Sequence, residues 1–262
     1  MEVAENETGL DLAPFSPDEW EELHDGDRED TLEQRSILGK GYFGVTLRLS
    51  TRTGVLVAAK RFARKDARKA GMTEEAVMQE AKTLGQLRHQ HVIRYLGLVM
   101  TKKHLLLVME LAAGGSLADQ VPHLRPVEVI VSWARQIASA LEYVHWRRFV
   151  HRDIKAANVL LMADGDVRLA DFGLTCFLES SAASHVSKGA GGTATYFSPE
   201  RAHGRTYGPK ADMWSAGCLL IELLDGKLLT KPIWHEGPEV TQTREDLLRR
   251  ASERCALGPA AQ

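Results

Sequence analysis

The chain has 262 residues, 44% of them hydrophobic, and a formal net charge of −2, which is apolar content enough for one large domain or a pair of lobes. No stretch approaches the roughly 20 apolar residues of a spanning helix, and the acidic start lacks a basic segment followed by an apolar one. An intracellular protein without membrane insertion is therefore expected, cytoplasmic and with access to the nucleus. Cys176, Cys218 and Cys255 lie far apart and show no ligand spacing with histidine, which argues for a reduced compartment and against a structural metal. Residues 1–30 carry twelve acids and one base, Arg28, while the remaining 232 hold 32 bases against 23 acids, a net charge of about +9. Residues 1–32 thus read as an acidic, mostly disordered extension, with at most a short helix near Trp20 and Leu23.

From Ser36 the pattern turns β-rich. Ser36–Leu38, Val45–Leu49 and Val55–Phe62 read as short β-rich runs, the last two separated by the turn-like Thr51-Arg52-Thr53-Gly54, and together they predict an antiparallel meander. Thr73 opens a helix on which Ala76, Val77, Ala81, Leu84 and Leu87 line one side. Ile93–Met100 and Leu105–Leu111 read as two further strands. Beyond Gly114-Gly115 the chain becomes mainly helical, with Val127–His145 and Ala211–Leu224 as helices and a hairpin-like stretch at Val159–Leu169. The expected class is α+β, a small β-rich lobe over 33–109 preceding a mainly helical lobe over 110–262. The basic run Lys60–Lys69, interrupted by Phe62 and Ala63, suits a strand end and linker better than a nucleic-acid patch. His89 and His91, ahead of a strand, read as packing residues and His145 as a helix-end residue, and none of them suggests a metal site without further ligands nearby.

Three segments carry chemistry. Leu38-Gly39-Lys40-Gly41-Tyr42-Phe43-Gly44 sets three glycines between predicted strands, where missing side chains let backbone amides approach phosphate oxygens. A plain hairpin fits the same residues, and a dinucleotide turn would need a helix directly after it, where Val45–Leu49 reads as a strand. Val57-Ala58-Ala59-Lys60 puts a lysine at the end of an apolar strand, where burial without an anion is costly. Glu80 on the following helix can supply that carboxylate, although without other motifs a surface salt bridge is the favoured account of the pair. The third segment, His151-Arg152-Asp153-Ile154-Lys155-Ala156-Ala157-Asn158, is followed thirteen residues after Asn158 by Asp171-Phe172-Gly173.

Taken in order, these segments resemble the eukaryotic protein kinases over roughly Gln34 to Leu224. The resemblance implies a two-lobed kinase fold, ATP and Mg2+ as cofactors, and transfer of the γ-phosphate of ATP to protein hydroxyls. It implies that Asp153 is the base, that Lys155 steadies the γ-phosphate, that Lys60 paired with Glu80 holds phosphates, and that Asn158 and Asp171 are the magnesium ligands. Leu38, Val45, Thr46, Ala58 and Leu160 match the nucleotide-contacting positions beside the glycine turn. Glu110, Leu111 and Ala112 match those that hydrogen-bond the adenine through their backbone, and Met109 matches the gatekeeper. Leu84, His151 and Phe172 resemble the stacked column linking helix and catalytic loop.

Lys155 together with Gly192-Thr193-Ala194-Thr195-Tyr196-Phe197-Ser198-Pro199-Glu200 is similar to the serine/threonine type, in the style of the STE and related upstream-cascade groups. Protein substrates with serine or threonine are the implied partners. An upstream kinase acting on Ser180, Ser181, Ser184 or Ser187, with Arg152 pairing the phosphate, would be another. Thr46 stands where the family usually has valine and Ser198 where it has alanine. Asp212-Met213-Trp214-Ser215-Ala216-Gly217 matches the central helix of the large lobe, yet only 45 residues follow Gly217, so the lobe is expected to be incomplete after about residue 226. Arg249, Arg250 and Arg254 could pair with Glu200 or simply lie on a solvated basic helix. Two readings follow: an active kinase, or a truncated kinase-like protein that binds ATP and partners with little turnover.

Overall fold

A computed structural model describes residues 37–41, 44–50, 55–63, 73–100, 104–178 and 191–233, with 245, 246, 249, 252 and 253 near the C-terminus. The acidic extension, Tyr42, Phe43, the turn at 51–54, the basic run beyond Ala63, the four serines between Ser180 and Ser187, Arg250 and Arg254 lie outside the described residues. The described part divides into two compact units. The first comprises residues up to Arg88 with Ile93–Ala112, and the second His89–Val92 with everything from Ala113.

The first unit is a five-stranded antiparallel sheet with one helix. Its strands are β1 (Ile37–Gly41), β2 (Gly44–Ser50), β3 (Leu56–Ala63), β4 (Tyr95–Met100) and β5 (His104–Glu110), in spatial order β1-β2-β3-β5-β4. The expected meander is therefore present, but β1 does not stop at Leu38. It runs on through Gly39 and Lys40 to Gly41 because β2 offers a partner at each step, down to Gly41 opposite Gly44, with a bulge between Ile37 and Gly39. The fourth strand likewise begins at Tyr95 rather than Ile93, since Val92 makes a separate bridge to Leu169 within the second unit.

Register decides what each face does, because directly opposed residues in an antiparallel pair point the same way. Leu49 faces Val57, and Ala59 faces both Leu47 and Val108. Val57, Ala59, Leu106 and Val108 close one face as an apolar cluster with Leu49, Leu96 and Val99. The opposite face carries Thr46, Ala58, Lys60, Leu107 and Met109. Helix α1 (Glu74–Gln86) packs on that side, burying Val77, Ala81 and Leu84. Thr73 caps it, Oγ1 accepting from the Ala76 amide at 3.2 Å, and Glu74 and Glu75 place negative charge at its positive end.

The second unit is mainly helical: α2 (Leu117–Gln120), α3 (Val127–Trp146), α4 (Pro199–Ala202) and α5 (Pro209–Asp225). Two short antiparallel pairs accompany them, β6 (Phe149–Val150) with β9 (Cys176–Phe177) and β7 (Val159–Leu161) with β8 (Val167–Leu169). The hairpin read from the sequence is the second pair. Helices α3 and α5 pack on each other, α3 burying Trp133, Ile137, Leu141 and Val144 and α5 burying Leu219 and Leu223. Alongside those apolar residues α5 buries Asp212, Ser215 and Glu222, more polar groups than a core helix carries without a reason. Near the C-terminus exposed Arg249 bonds Glu253 at 2.8 Å and Asp246 at 3.5 Å. Among the described residues no helix is long and apolar enough to cross a membrane.

The glycine turn yields a paired test. A Cβ at Gly44 would sit 2.3 Å from the Arg61 carbonyl oxygen, a backbone atom that cannot swing aside, whereas one at Gly39 would meet nothing within 4 Å. Gly44→Ala should lower stability by about 1–3 kcal/mol, and Gly39→Ala by far less. Thermal unfolding of both variants measures the difference, and equal melting temperatures would contradict the pairing of β1, β2 and β3.

Candidate active site

The first unit holds a lysine bonded to a carboxylate. Alternation along β3 puts Ala58, Lys60 and Phe62 on one face, with Lys60 opposite Thr46 on one side and Leu107 on the other. Glu80 is buried on the inner side of α1 beside Val77, Ala81 and Leu84. Its carboxylate accepts from Lys60 Nζ at 3.1 and 3.4 Å. The lysine side chain is 17% exposed and the glutamate 2%, so the pair is no surface salt bridge. Removal of either partner would leave a largely desolvated charge. Thr46, Ala58 and Met109 share the face of Lys60. Val45 points to the other face, opposite Arg61 and in line with Leu106. Leu38 is exposed, Gly39, Lys40, Gly41 and Gly44 form the hairpin of β1 and β2, and Glu110, Leu111 and Ala112 end the unit half-buried.

The second unit holds a tightly bonded loop. Asp153, nearly buried, accepts at both carboxylate oxygens. Oδ1 takes the Thr193 amide at 3.0 Å and its hydroxyl at 3.2 Å, and Oδ2 takes Lys155 Nζ at 2.7 Å and Asn158 Nδ2 at 2.9 Å. Extended backbone at Lys155 brings its ammonium back beside Asp153, where it also donates to Thr193 Oγ1 at 3.0 Å. A single 3-10 turn at Ala156–Asn158 aims the Asn158 amide at the same residue, Nδ2 reaching the Asp153 carbonyl at 2.8 Å as well. With Nδ2 so committed, Oδ1 is the oxygen Asn158 has left to offer. The Ala170 amide donates to the Asn158 carbonyl at 2.8 Å, tying the segment that bears Asp171 to the same turn. Asp171 is exposed, and Leu160 lies half-buried on β7.

The loop is strained. Arg152 has φ 71° and Asp171 φ 62°, left-handed conformations that cost non-glycine residues about 1–3 kcal/mol each. Asp212 on α5 holds the first of them: its carboxylate accepts the His151 amide at 2.9 Å, the Arg152 amide at 2.8 Å and His145 Nε2 at 2.9 Å. His151 itself is fully buried, and burial depresses its pKa. Its Nδ1 accepts from the Asp153 amide at 3.3 Å, so the proton sits on Nε2 and is donated to the Ala170 carbonyl at 3.0 Å. The ring meets Phe172 edge-on at 4.7 Å between centroids, forming the part of the expected column that lies in this unit, while Leu84 is buried on α1 of the other. His91 Nδ1 lies 3.2 Å from the Val167 carbonyl and His89 stacks on Tyr143, in keeping with packing roles.

Two functional residues escape a reading of the sequence. Asp212 stands there only as part of a helix motif, although an aspartate within the apolar run of a core helix is itself a signal of a buried acceptor. Thr193 stands only as a letter of the substrate-loop pattern, and its contact with Asp153 spans forty residues of chain that no local periodicity reports.

A profile described as the protein kinase domain matches residues 32–253. Among curated proteins, a mitogen-activated protein kinase kinase kinase of Pyricularia oryzae is 33% identical over 227 residues, covering 79% of this chain and 24% of its own length. The Aurora kinase of Schizosaccharomyces pombe is 34% identical over 214 residues, 79% of this chain and 57% of its own. The serine/threonine-protein kinase pak-1 of Caenorhabditis elegans is 34% identical over 203 residues, 77% and 34% respectively. The chain thus spans between about a quarter and somewhat over half the length of these relatives.

A buried pair behind the loop tests how the substrate-loop segment is anchored. Tyr196 donates its hydroxyl to the Glu222 carboxylate at 2.8 and 2.9 Å, and the Leu229 amide adds a third bond at 2.7 Å. Burial pushes the Glu222 pKa up, the two donors working against it. Tyr196→Phe removes one donor from a carboxyl that no solvent reaches, and should cost about 1–3 kcal/mol of stability. Denaturant unfolding would show a lower midpoint at unchanged slope, whereas an unshifted midpoint would deny the pair any anchoring role.

Proposed function

The chain belongs to the protein kinase family, and we propose on that premise that it transfers the γ-phosphate of ATP to serine and threonine hydroxyls of other proteins. The observation that carries this reading is Asp153, a carboxylate fixed by four donors yet set beside a lysine and an asparagine that a phosphate and its counter-ion would use. The substrate hydroxyl oxygen forms the new bond to the γ-phosphorus while the bond to the bridging oxygen of ADP breaks, and ADP leaves with that electron pair. Asp153 orients the hydroxyl and accepts its proton. Lys155 offsets charge on the transferring group, and Lys60, kept in place by Glu80, holds the phosphates of the nucleotide.

Asn158 and Asp171 fit magnesium. Asn158 Oδ1 is the amide atom left uncommitted and Asp171 presents an exposed carboxylate, a small set of hard oxygens such as that ion takes when phosphates and waters complete its shell. Bound there, the ion would neutralise charge on the phosphate oxygens. Serine/threonine preference is supported by Lys155 and its bond to Thr193, and by the name of the pak-1 relative. The relatives named as kinases of a mitogen-activated cascade support a place in a phosphorylation cascade. The alternative of a kinase-like protein with little turnover is disfavoured by a loop in which His151, Arg152, Asp153, Lys155 and Asn158 are all present and hydrogen-bonded.

Purified chain, magnesium, labelled ATP and a generic basic protein decide between them. Wild type should form phosphoserine and phosphothreonine, Asp153→Ala should bind nucleotide but lose transfer by about a hundredfold or more, and Lys60→Met should also depress transfer. Equal transfer by Asp153→Ala would overturn the assigned base, and none from folded wild type would favour the low-turnover alternative.

A further inference from the structure

The chemistry of phosphate transfer gives no task to Arg201. This residue, on the single turn α4, is only partly exposed, and its guanidinium is held by two carbonyls and lies over two aromatic rings. Nη1 donates to the Arg152 carbonyl at 2.5 Å, and Nη2 donates to the Gly191 carbonyl. The Phe197 ring centroid lies 3.9 Å from the guanidinium carbon and the Tyr207 centroid 4.9 Å. Those two carbonyls belong to the two segments that meet at the reacting carboxylate: Arg152 precedes Asp153, and Gly191 comes two residues before Thr193. Gly192 runs through the gap at φ 89°, where a Cβ would stand 2.9 Å from both the Arg152 carbonyl oxygen and Arg201 Nη2. The chain therefore passes the catalytic loop at a distance that only glycine permits.

We propose that Arg201 is a positioning residue, a planar fork that clamps the substrate-loop segment 191–197 onto the catalytic loop and so keeps Thr193 bonded to Asp153. The proposal rests on the reading of Asp153 as the base. The left-handed peptide at Arg152 is then held from both ends, its N–H by Asp212 and its C=O by Arg201. A guanidinium suits the task because it offers two donors in one plane and can stack on rings through its faces, whereas an ammonium is a single point charge with neither property.

Arg201→Met, which keeps an apolar stem against the rings and removes both donors, and Arg201→Lys test this in the full chain. Two readouts are needed: steady-state transfer, and hydrogen exchange at individual amides. The expected result for Arg201→Met is a kcat lowered about ten- to a hundredfold, as for a small misplacement of reacting groups, with the KM for ATP unchanged. The Thr193 amide should exchange at least about tenfold faster while the His151 amide, bonded to Asp212, keeps its protection. Arg201→Lys should recover part of kcat at most. Wild-type kcat in Arg201→Met, unchanged Thr193 exchange, or loss of protection spread equally to His151 would each overturn the proposal. Should wild type itself show no transfer, the kinase reading fails, and Thr193 exchange alone still decides whether Arg201 is the clamp.

Discussion

The second unit depends on one buried carboxylate. Asp212 is 1% exposed, within a core helix, and it accepts from two consecutive backbone amides and one imidazole. Backbone N–H groups at a left-handed residue cannot join a helix or a strand ladder, and buried ones without partners would cost about 1–3 kcal/mol each. Asp212 removes that penalty and makes the strained conformation at Arg152 the stable one. Everything that follows in the chain takes its direction from there: Asp153 turns its carboxylate to Thr193 and Lys155, and Asn158 folds back upon Asp153. A rigid helix thus supplies the reference for a loop that has almost no regular structure of its own.

The first unit applies the same logic to a cation. Lys60 is mostly desolvated on the face of a sheet, and Glu80 is almost wholly so on the helix that packs there. Neither charge is tolerable alone, so strand, helix and ion pair specify one another. The apolar cluster on the opposite face of the sheet leaves the lysine face free to carry polar function without weakening the unit. In both units the charged groups proposed to carry the chemistry are also groups whose bonding fixes local geometry, which is why pairwise removal and single removal are expected to differ.

The order and type of elements were legible in the sequence because each rests on a local pattern: short β-rich runs separated by turn residues in β2 and β3, a threonine cap and one apolar side in α1, a long apolar run in α5. Boundaries were less so. β1 extends through its glycines because β2 pairs with it, and Ile93 is buried without belonging to a strand, neither of which propensity reports. Of the site, the resemblance supplied the identities of Lys60, Glu80, Asp153, Lys155, Asn158 and Asp171, and the described geometry joins Lys60 to Glu80 and gathers Asp153, Lys155 and Asn158. The supporting residues were not legible, since Asp212, Thr193 and Arg201 act across forty to sixty residues of chain. A contact at that separation leaves no periodic trace; only the oddity of a charge in an apolar helix, or a glycine beside a threonine, hints at it.

The most direct measurement of the central claim is the Asp212→Asn variant, which keeps the volume but places an amide nitrogen where one backbone N–H now finds an acceptor. Transfer from ATP and exchange of the His151 and Arg152 amides should be followed together on the folded variant. If a buried carboxylate sets the catalytic geometry, kcat falls by about a hundredfold and those two amides lose protection, with the affinity for ATP little altered. Wild-type transfer with both amides still protected would show that the loop holds its strained form without Asp212, and would contradict the account.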